Sequence, residues 1–164
     1  MYGRRVGKSD HRVDACGCVD ELNSALGLAR AVATNDFVSD QILTAQKELI
    51  TVMGELATVP VDLERYRKDG FKVTTSAMVD RVTGVIDEIE SSGKMKFKDW
   101  VLPGSSLETA ALDLARATCR RAERRVASLA AETKDLNAEI LRYLNRLSDL
   151  CWLLARQIEQ KDAL

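Results

Sequence analysis

The sequence predicts an all-α protein, a five-helix antiparallel bundle, and three observations carry that prediction. Ala, Leu, Glu and Arg, all strong helix formers, dominate a chain that has only two prolines. Apolar residues recur at alternating spacings of three and four through five long segments. The connections between most of those segments are short, which makes successive helices antiparallel neighbours.

The first helix is predicted over 14–32, where Val19, Leu22, Leu26, Ala29 and Val32 form one stripe and Asp20, Asn23 and Gly27 lie opposite. The second is predicted over 36–58, on Ile42, Ala45, Leu49, Val52 and Leu56, and ends before Pro60 because a proline cannot continue it. Residues 61–74 mix charge with Pro, Gly and aromatics without a sustained period and read as a connecting loop. The third helix, 75–91, follows a Thr-Thr-Ser cap candidate, repeats Val79, Val82, Ile86 and Ile89, and stops at Ser91-Ser92-Gly93. Trp100-Val101-Leu102-Pro103-Gly104-Ser105-Ser106 then reads as a short apolar stretch and a turn. The fourth helix, 106–132, places Leu112, Ala115, Cys119, Ala122, Val126 and Leu129 on one seam. The fifth does the same with Ile140, Leu144, Leu147, Cys151, Leu154 and Ile158.

At 164 residues the chain is long enough for one domain with its own core, and a single domain over 1–164 is expected. Hydrophobic residues at 46% and charged residues at 30% describe a soluble globular chain, and no apolar run reaches the roughly 18 residues of a membrane span. A formal net charge of -1 argues against nucleic acid or an anionic membrane as partner. The basic first residues lack the apolar stretch of a secretory signal, so a cytoplasmic setting, or a mitochondrial matrix in a eukaryote, is expected. Cys16, Cys18, Cys119 and Cys151 read as reduced, small apolar residues. Cys16 and Cys18 face different ways on a helix, and with His11 as the one histidine a zinc site is not expected.

Charge that is balanced globally is clustered locally. Arg116, Arg120, Glu123 and Arg124 stand at i, i+4, i+7 and i+8 on the fourth helix, with Arg121 and Arg125 beside them. Like charges at this spacing repel by a few tenths of a kcal/mol per pair, roughly, so an anion should offset them. Guanidinium groups suit bidentate contact with phosphate, which makes a polyphosphate one candidate. A solvated face, or salt bridges between subunits, is the other. Asp20, Glu21 and Asn23 on the first helix and Arg142, Asn145, Ser148 and Asp149 on the last also lie beside the seams, where they serve either an ion-pair network or a site.

Four separated motifs resemble one family in its own order. They are residues 12–27, from Arg12-Val13-Asp14 through Val19-Asp20-Glu21-Leu22-Asn23 to Leu26-Gly27; Leu102-Pro103-Gly104; Cys119-Arg120-Arg121-Ala122-Glu123-Arg124-Arg125-Val126; and Leu141-Arg142-Tyr143-Leu144-Asn145-Arg146-Leu147-Ser148-Asp149. Together they resemble the PduO-type ATP:cob(I)alamin adenosyltransferases, over nearly the whole chain. The resemblance implies a ferritin-like up-down bundle that assembles as a homotrimer with active sites between subunits. It also implies transfer of the 5′-deoxyadenosyl group of ATP to cob(I)alamin, giving adenosylcobalamin and triphosphate. Carried over by position, Lys8, Arg120, Arg121, Glu123, Arg124 and Asn145 would contact ATP and its Mg²⁺, the metal through Glu123. Asp20 of one subunit would pair with Arg116 of another on the corrinoid side, and Trp100 would stand where an apolar ring shields the lower face of cobalt. Arg116, Arg120 and Asp20 are the candidate catalytic residues. A reductase and an adenosylcobalamin-dependent enzyme are the implied partners. The nucleophile is the Co(I) substrate, so no catalytic Ser, Cys or His is required.

Members of the family usually begin with a Thr-Arg-Thr-Gly-Asp-x-Gly-x-Thr stretch that cradles the triphosphate. No such stretch stands before Met1-Tyr2-Gly3, so either an N-terminal segment carrying it precedes this sequence or the chain is a variant with weakened use of ATP. A chain weakened in this way would act instead as a corrinoid carrier or chaperone. The remaining alternative is a helical assembly protein whose arginines serve only salt bridges.

Overall fold

The structure is a computed structural model that describes residues 1–7, 9–92, 100–133 and 135–162. Lys8 and the segment 93–99 lie outside them. Asp10 opens helix α1, His11–Val32, by accepting the backbone N–H of Arg12 at 2.8 Å. This cap starts the helix three residues before the predicted position 14, because a capping carboxylate fixes a helix start ahead of its first apolar repeat. Asn35 caps α2, Asp36–Leu56, through Phe37 and Val38. That helix ends two residues short of the predicted 58, as the backbone turns toward Pro60.

The predicted count of five helices is corrected to six α-helices among the described residues. The segment read as a loop folds as a 3₁₀ turn, Pro60–Asp62, running into α3, Leu63–Lys68. Pro60 supplies a ready-made first-turn φ, Lys68 meets Glu64 at 2.7 Å, and buried Tyr66 stacks on Phe71 with ring centroids 4.8 Å apart. Six residues hold too little of a helical period to register as one in the sequence.

Helices α4, Ser76–Ser91, α5, Leu107–Glu132, and α6, Ala138–Asp162, complete the bundle, and no strand occurs among the described residues. Ser106 and Thr109 form a reciprocal capping box that fixes where α5 starts. The predicted seams of α2, α4, α5 and α6 are all buried, and on α1 only Val32 is partly exposed. These seams converge in one core in which α1 packs on α2 and α5, and α6 packs on α5 and α4.

Two polar ties fix the register of the helices. Glu55, 3% exposed, accepts the N–H of Thr74 at 2.7 Å and the amide of Asn137 at 3.0 Å, joining the end of α2 to the entries of α4 and α6. Glu48 of α2 accepts from Arg81 of α4 at 2.6 and 2.8 Å and from the hydroxyl of Tyr143 of α6 at 2.8 Å. Burial and the neighbouring Glu48 charge both push the Tyr143 phenol well above its ordinary value, so it stays a donor.

Candidate functional site

Helix α5 sorts its five arginines onto two sides. Arg121 and Arg125 turn toward α1, where Arg121 pairs with Glu21 and Arg125 lies 3.1 Å from Asp14. Arg116, Arg120 and Arg124 form the other stripe. Arg120 and Arg124 are exposed and make no ion pair among the described residues. Arg116 is partly buried, and its Nε is buried with no hydrogen-bond partner, 3.6 Å from Asp113 Oδ1. From Arg116 to Arg124 the stripe runs about 12 Å along the axis, at about 1.5 Å per residue.

At its Arg116 end the stripe opens on a cleft of about 420 Å³ between α4, α5 and α6. Arg116 and Arg120 supply the α5 wall, Ile86, Asp87 and Glu90 the α4 wall, and Arg146, Ser148, Asp149 and Trp152 part of the α6 wall. Arg146 and Asp149 pair with each other at 3.3 Å. The cleft therefore joins a cationic wall, an acidic wall and an apolar floor. Further along the stripe, Asn145 of α6 donates its amide to Glu123 Oε1 at 3.2 Å, which draws those two residues together beside Arg124.

Behind the arginines, Cys119 and Cys151 offer no ionised thiol. All four cysteines are free, and Cys119 and Cys151 are fully buried. Burial raises the Cys119 thiol well above its ordinary value and pushes Cys151 up to about 12, against the opposing pull of the Arg116 charge. The half-buried thiol of Cys16 is pushed by desolvation up to about 11. Among the described residues no group of three or more His, Cys, Asp or Glu is placed to hold a metal ion. A Mg²⁺ that arrives with phosphate needs only one or two carboxylates, because it keeps phosphate oxygens and water as its other ligands. Glu123, oriented by Asn145, meets that requirement.

The sequence-derived residues thus fall into separate groups. Arg116 and Arg120 share the cleft, Glu123, Arg124 and Asn145 cluster further along, and Arg121 is engaged with Glu21. Asp20 is exposed on α1 without an ion-pair partner among the described residues. Trp100 is 99% exposed, and Lys8 lies outside the described residues. The acidic α4 wall and Trp152 were not singled out in the sequence. Their signal was the spacing of Asp149 and Trp152 at i, i+3 and of Asp87 and Glu90 at i, i+3, visible only once α4 and α6 are known to face each other.

The comparisons with known proteins agree with one another. A corrinoid adenosyltransferase of Bacillus subtilis is 34% identical over 168 residues, covering 100% of this chain and 82% of its own. The corrinoid adenosyltransferase PduO of Salmonella typhimurium is 34% identical across 98% of this chain, which spans 46% of that longer protein. A variant of the PduO-type ATP:corrinoid adenosyltransferase of Lactobacillus reuteri, solved with cobalamin and ATP, superposes with a TM-score of 0.84 at 32% identity over 99% of this chain and 88% of its own. A second variant of that protein, solved with ATP, gives a TM-score of 0.85 at 28% identity, covering 99% of this chain and 89% of its own. The cobalamin adenosyltransferase family model matches residues 1–158. With the motifs in order, the fold matched and the arginine stripe in place, this chain belongs to the cobalamin adenosyltransferase family.

Proposed function

We propose that the protein transfers the 5′-deoxyadenosyl group of ATP to cob(I)alamin, releasing triphosphate, with Arg120 and Arg124 receiving the triphosphate. The observation that carries this reading is the division of α5: two arginines are neutralised by α1, while Arg120 and Arg124 stand exposed without an ion pair among the described residues. In the reaction the cobalt electron pair forms a bond to C5′ of ribose, the C5′–O5′ bond breaks, and its electrons leave with the triphosphate. Charge grows on that leaving group, so prepositioned guanidinium groups lower the barrier.

Glu123 and Asn145 would hold the Mg²⁺ that accompanies ATP, and Lys8 is assigned to the same nucleotide by its place in the motif order. Arg121 joins them by exchanging Glu21 for phosphate, an inexpensive step because an exposed ion pair is worth about 0–1 kcal/mol. Arg120 stands where the cleft meets the exposed stripe; beyond it, the mixed charge of the cleft suits the corrinoid end better than a polyphosphate, which the acidic α4 wall would repel.

Arg116 belongs to that corrinoid end, paired with Asp20 of a neighbouring copy in a homotrimer. An exposed Asp20 and a 99% exposed Trp100 support this reading, since both side chains are open to a second copy or a ligand. Trp100 would cover the lower face of the corrin with its indole. Free cysteines fit a reducing, cytoplasmic setting in which a reductase can supply Co(I) and an adenosylcobalamin-dependent enzyme can take the product.

The test is anaerobic incubation of the chain with chemically reduced cobalamin and ATP, followed by absorbance. Conversion to adenosylcobalamin with release of triphosphate is expected. Binding of corrinoid without conversion would overturn enzyme activity in favour of a carrier.

A further inference from the structure

The side chains that hold Arg116 in place lie in a buried network that the sequence motifs do not mark. Arg156 of α6 is 1% exposed, and its guanidinium donates from Nη2 to Asp113 Oδ2 at 2.7 Å and to Glu159 Oε1 at 3.1 Å. Its Nε lies 2.9 Å from Glu159 Oε2, and its cationic carbon stands 5.9 Å over the ring of Trp152, a wall of the cleft. Such a buried cation is tolerable only with carboxylates close by, and here two supply the charge.

Each carboxylate has a second engagement. Asp113 turns Oδ1 toward Arg116, whose buried Nε is 3.6 Å away and unsatisfied. A movement of under about 1 Å would bring the two into hydrogen-bond distance. Glu159 Oε1 accepts the hydroxyl of Ser105 at 2.7 Å. Ser105 belongs to the turn after Trp100, in which Gly104 adopts φ 108°, a backbone conformation that glycine takes without strain.

We propose that Asp113 is a positioning residue for Arg116, clamped by Arg156, and that the same network holds the turn behind Trp100 through Glu159 and Ser105. Two guanidinium groups balance two carboxylates, so Arg116 is steered by a fixed neighbour rather than by solvent. With its Nε directed back to Asp113, its terminal nitrogens are the groups left for the cleft. The network thereby sets both corrinoid-side elements, Arg116 and the Trp100 turn, from one buried centre. This inference rests on the adenosyl-transfer reading above.

The experiment is steady-state kinetics with corrinoid and ATP varied separately, on the full chain and on Asp113→Asn, Arg116→Ala, their double variant and Ser105→Ala. Asp113→Asn keeps the shape and one acceptor while removing the charge. It should lower kcat/KM for corrinoid by roughly 10- to 100-fold while leaving the ATP KM within about twofold. If Asp113 acts through Arg116, the double variant should match Arg116→Ala alone to within about twofold, rather than losing the product of both effects. Ser105→Ala, on an exposed side chain that does not endanger folding, should raise the corrinoid KM and spare that of ATP.

Equal losses toward both substrates, or multiplicative losses in the double variant, would overturn the positioning role. An unchanged corrinoid KM in Ser105→Ala would overturn the link to the turn, and that part of the inference is decided even should Asp113→Asn fail to fold. A parent chain that neither binds nor adenosylates corrinoid sinks the functional reading itself, whereas an active parent matched by Asp113→Asn sinks this inference alone.

Discussion

Arg120 and Arg121 are adjacent in sequence yet differ in what a substitution should do. Arg120 is exposed and makes no ion pair among the described residues, so Arg120→Ala should weaken ATP binding by roughly 10- to 100-fold, the worth of one or two charged hydrogen bonds, without lowering the melting temperature. Titration calorimetry and a thermal melt on the same variant check both halves. In the proposed complex Arg121 would give up its ion pair with Glu21 to reach phosphate, so Arg121→Ala should cost less binding than Arg120→Ala.

The thiols give a prediction in pH. Free thiols ionise near 9, whereas Cys16 is held up to about 11 and Cys151 up to about 12 by burial. Their folded values lie above the unfolded ones. The stability they contribute is therefore whole below pH 9 and is lost as pH rises toward the folded values. Melting temperature should fall steadily from pH 9 to 11, and Cys16→Ala should flatten part of that fall.

At the level of the elements, α5 is the part on which the site depends, and its start is set by one small motif. Ser106 accepts the N–H of Thr109 while the Thr109 hydroxyl accepts the N–H of Ser106. Ser106→Ala should cost about 1 kcal/mol, read as a lower denaturation midpoint at unchanged m-value. The short helix α3 is fixed differently, by contact rather than by period. A methyl placed on Gly54 of α2 would collide with the Tyr66 hydroxyl, and Tyr66 is 3% exposed and stacked on Phe71. Gly54→Ala should destabilise the chain by about 1–3 kcal/mol through overpacking, although alanine is the better helix former. This contrast explains what the sequence revealed at this level. Long helices announced themselves through repeated apolar positions, such as Leu112 to Leu129 on α5, where every side chain of the repeat is buried. The helix Leu63–Lys68 offered one buried side chain, Tyr66, and no repeat.

Across the whole molecule, the proposed assembly makes a further expectation. Asp20 and Arg116 lie on different helices and are not paired with each other among the described residues, so the proposed pairing between copies would make oligomerisation sensitive to both. Sedimentation of the parent should report a trimer, and Asp20→Ala should shift it toward smaller species while leaving the helical content intact.

The fold class, the seams, the arginine stripe and the family were legible in the sequence because each is a local or ordered pattern: periodic burial, charge at helical spacing, motifs in succession. What only the tertiary structure decided is which side of α5 each arginine serves, since Glu21 and Asp14 come from a helix about 100 residues away along the chain. The same holds for the cleft walls contributed by α4 and α6, and for the linked set of buried Asp113 and Arg156 with Glu159 and the exposed Ser105, whose members lie up to 54 residues apart. Periodicity says that a residue faces inward. Only the packing of one helix on another says what it meets there.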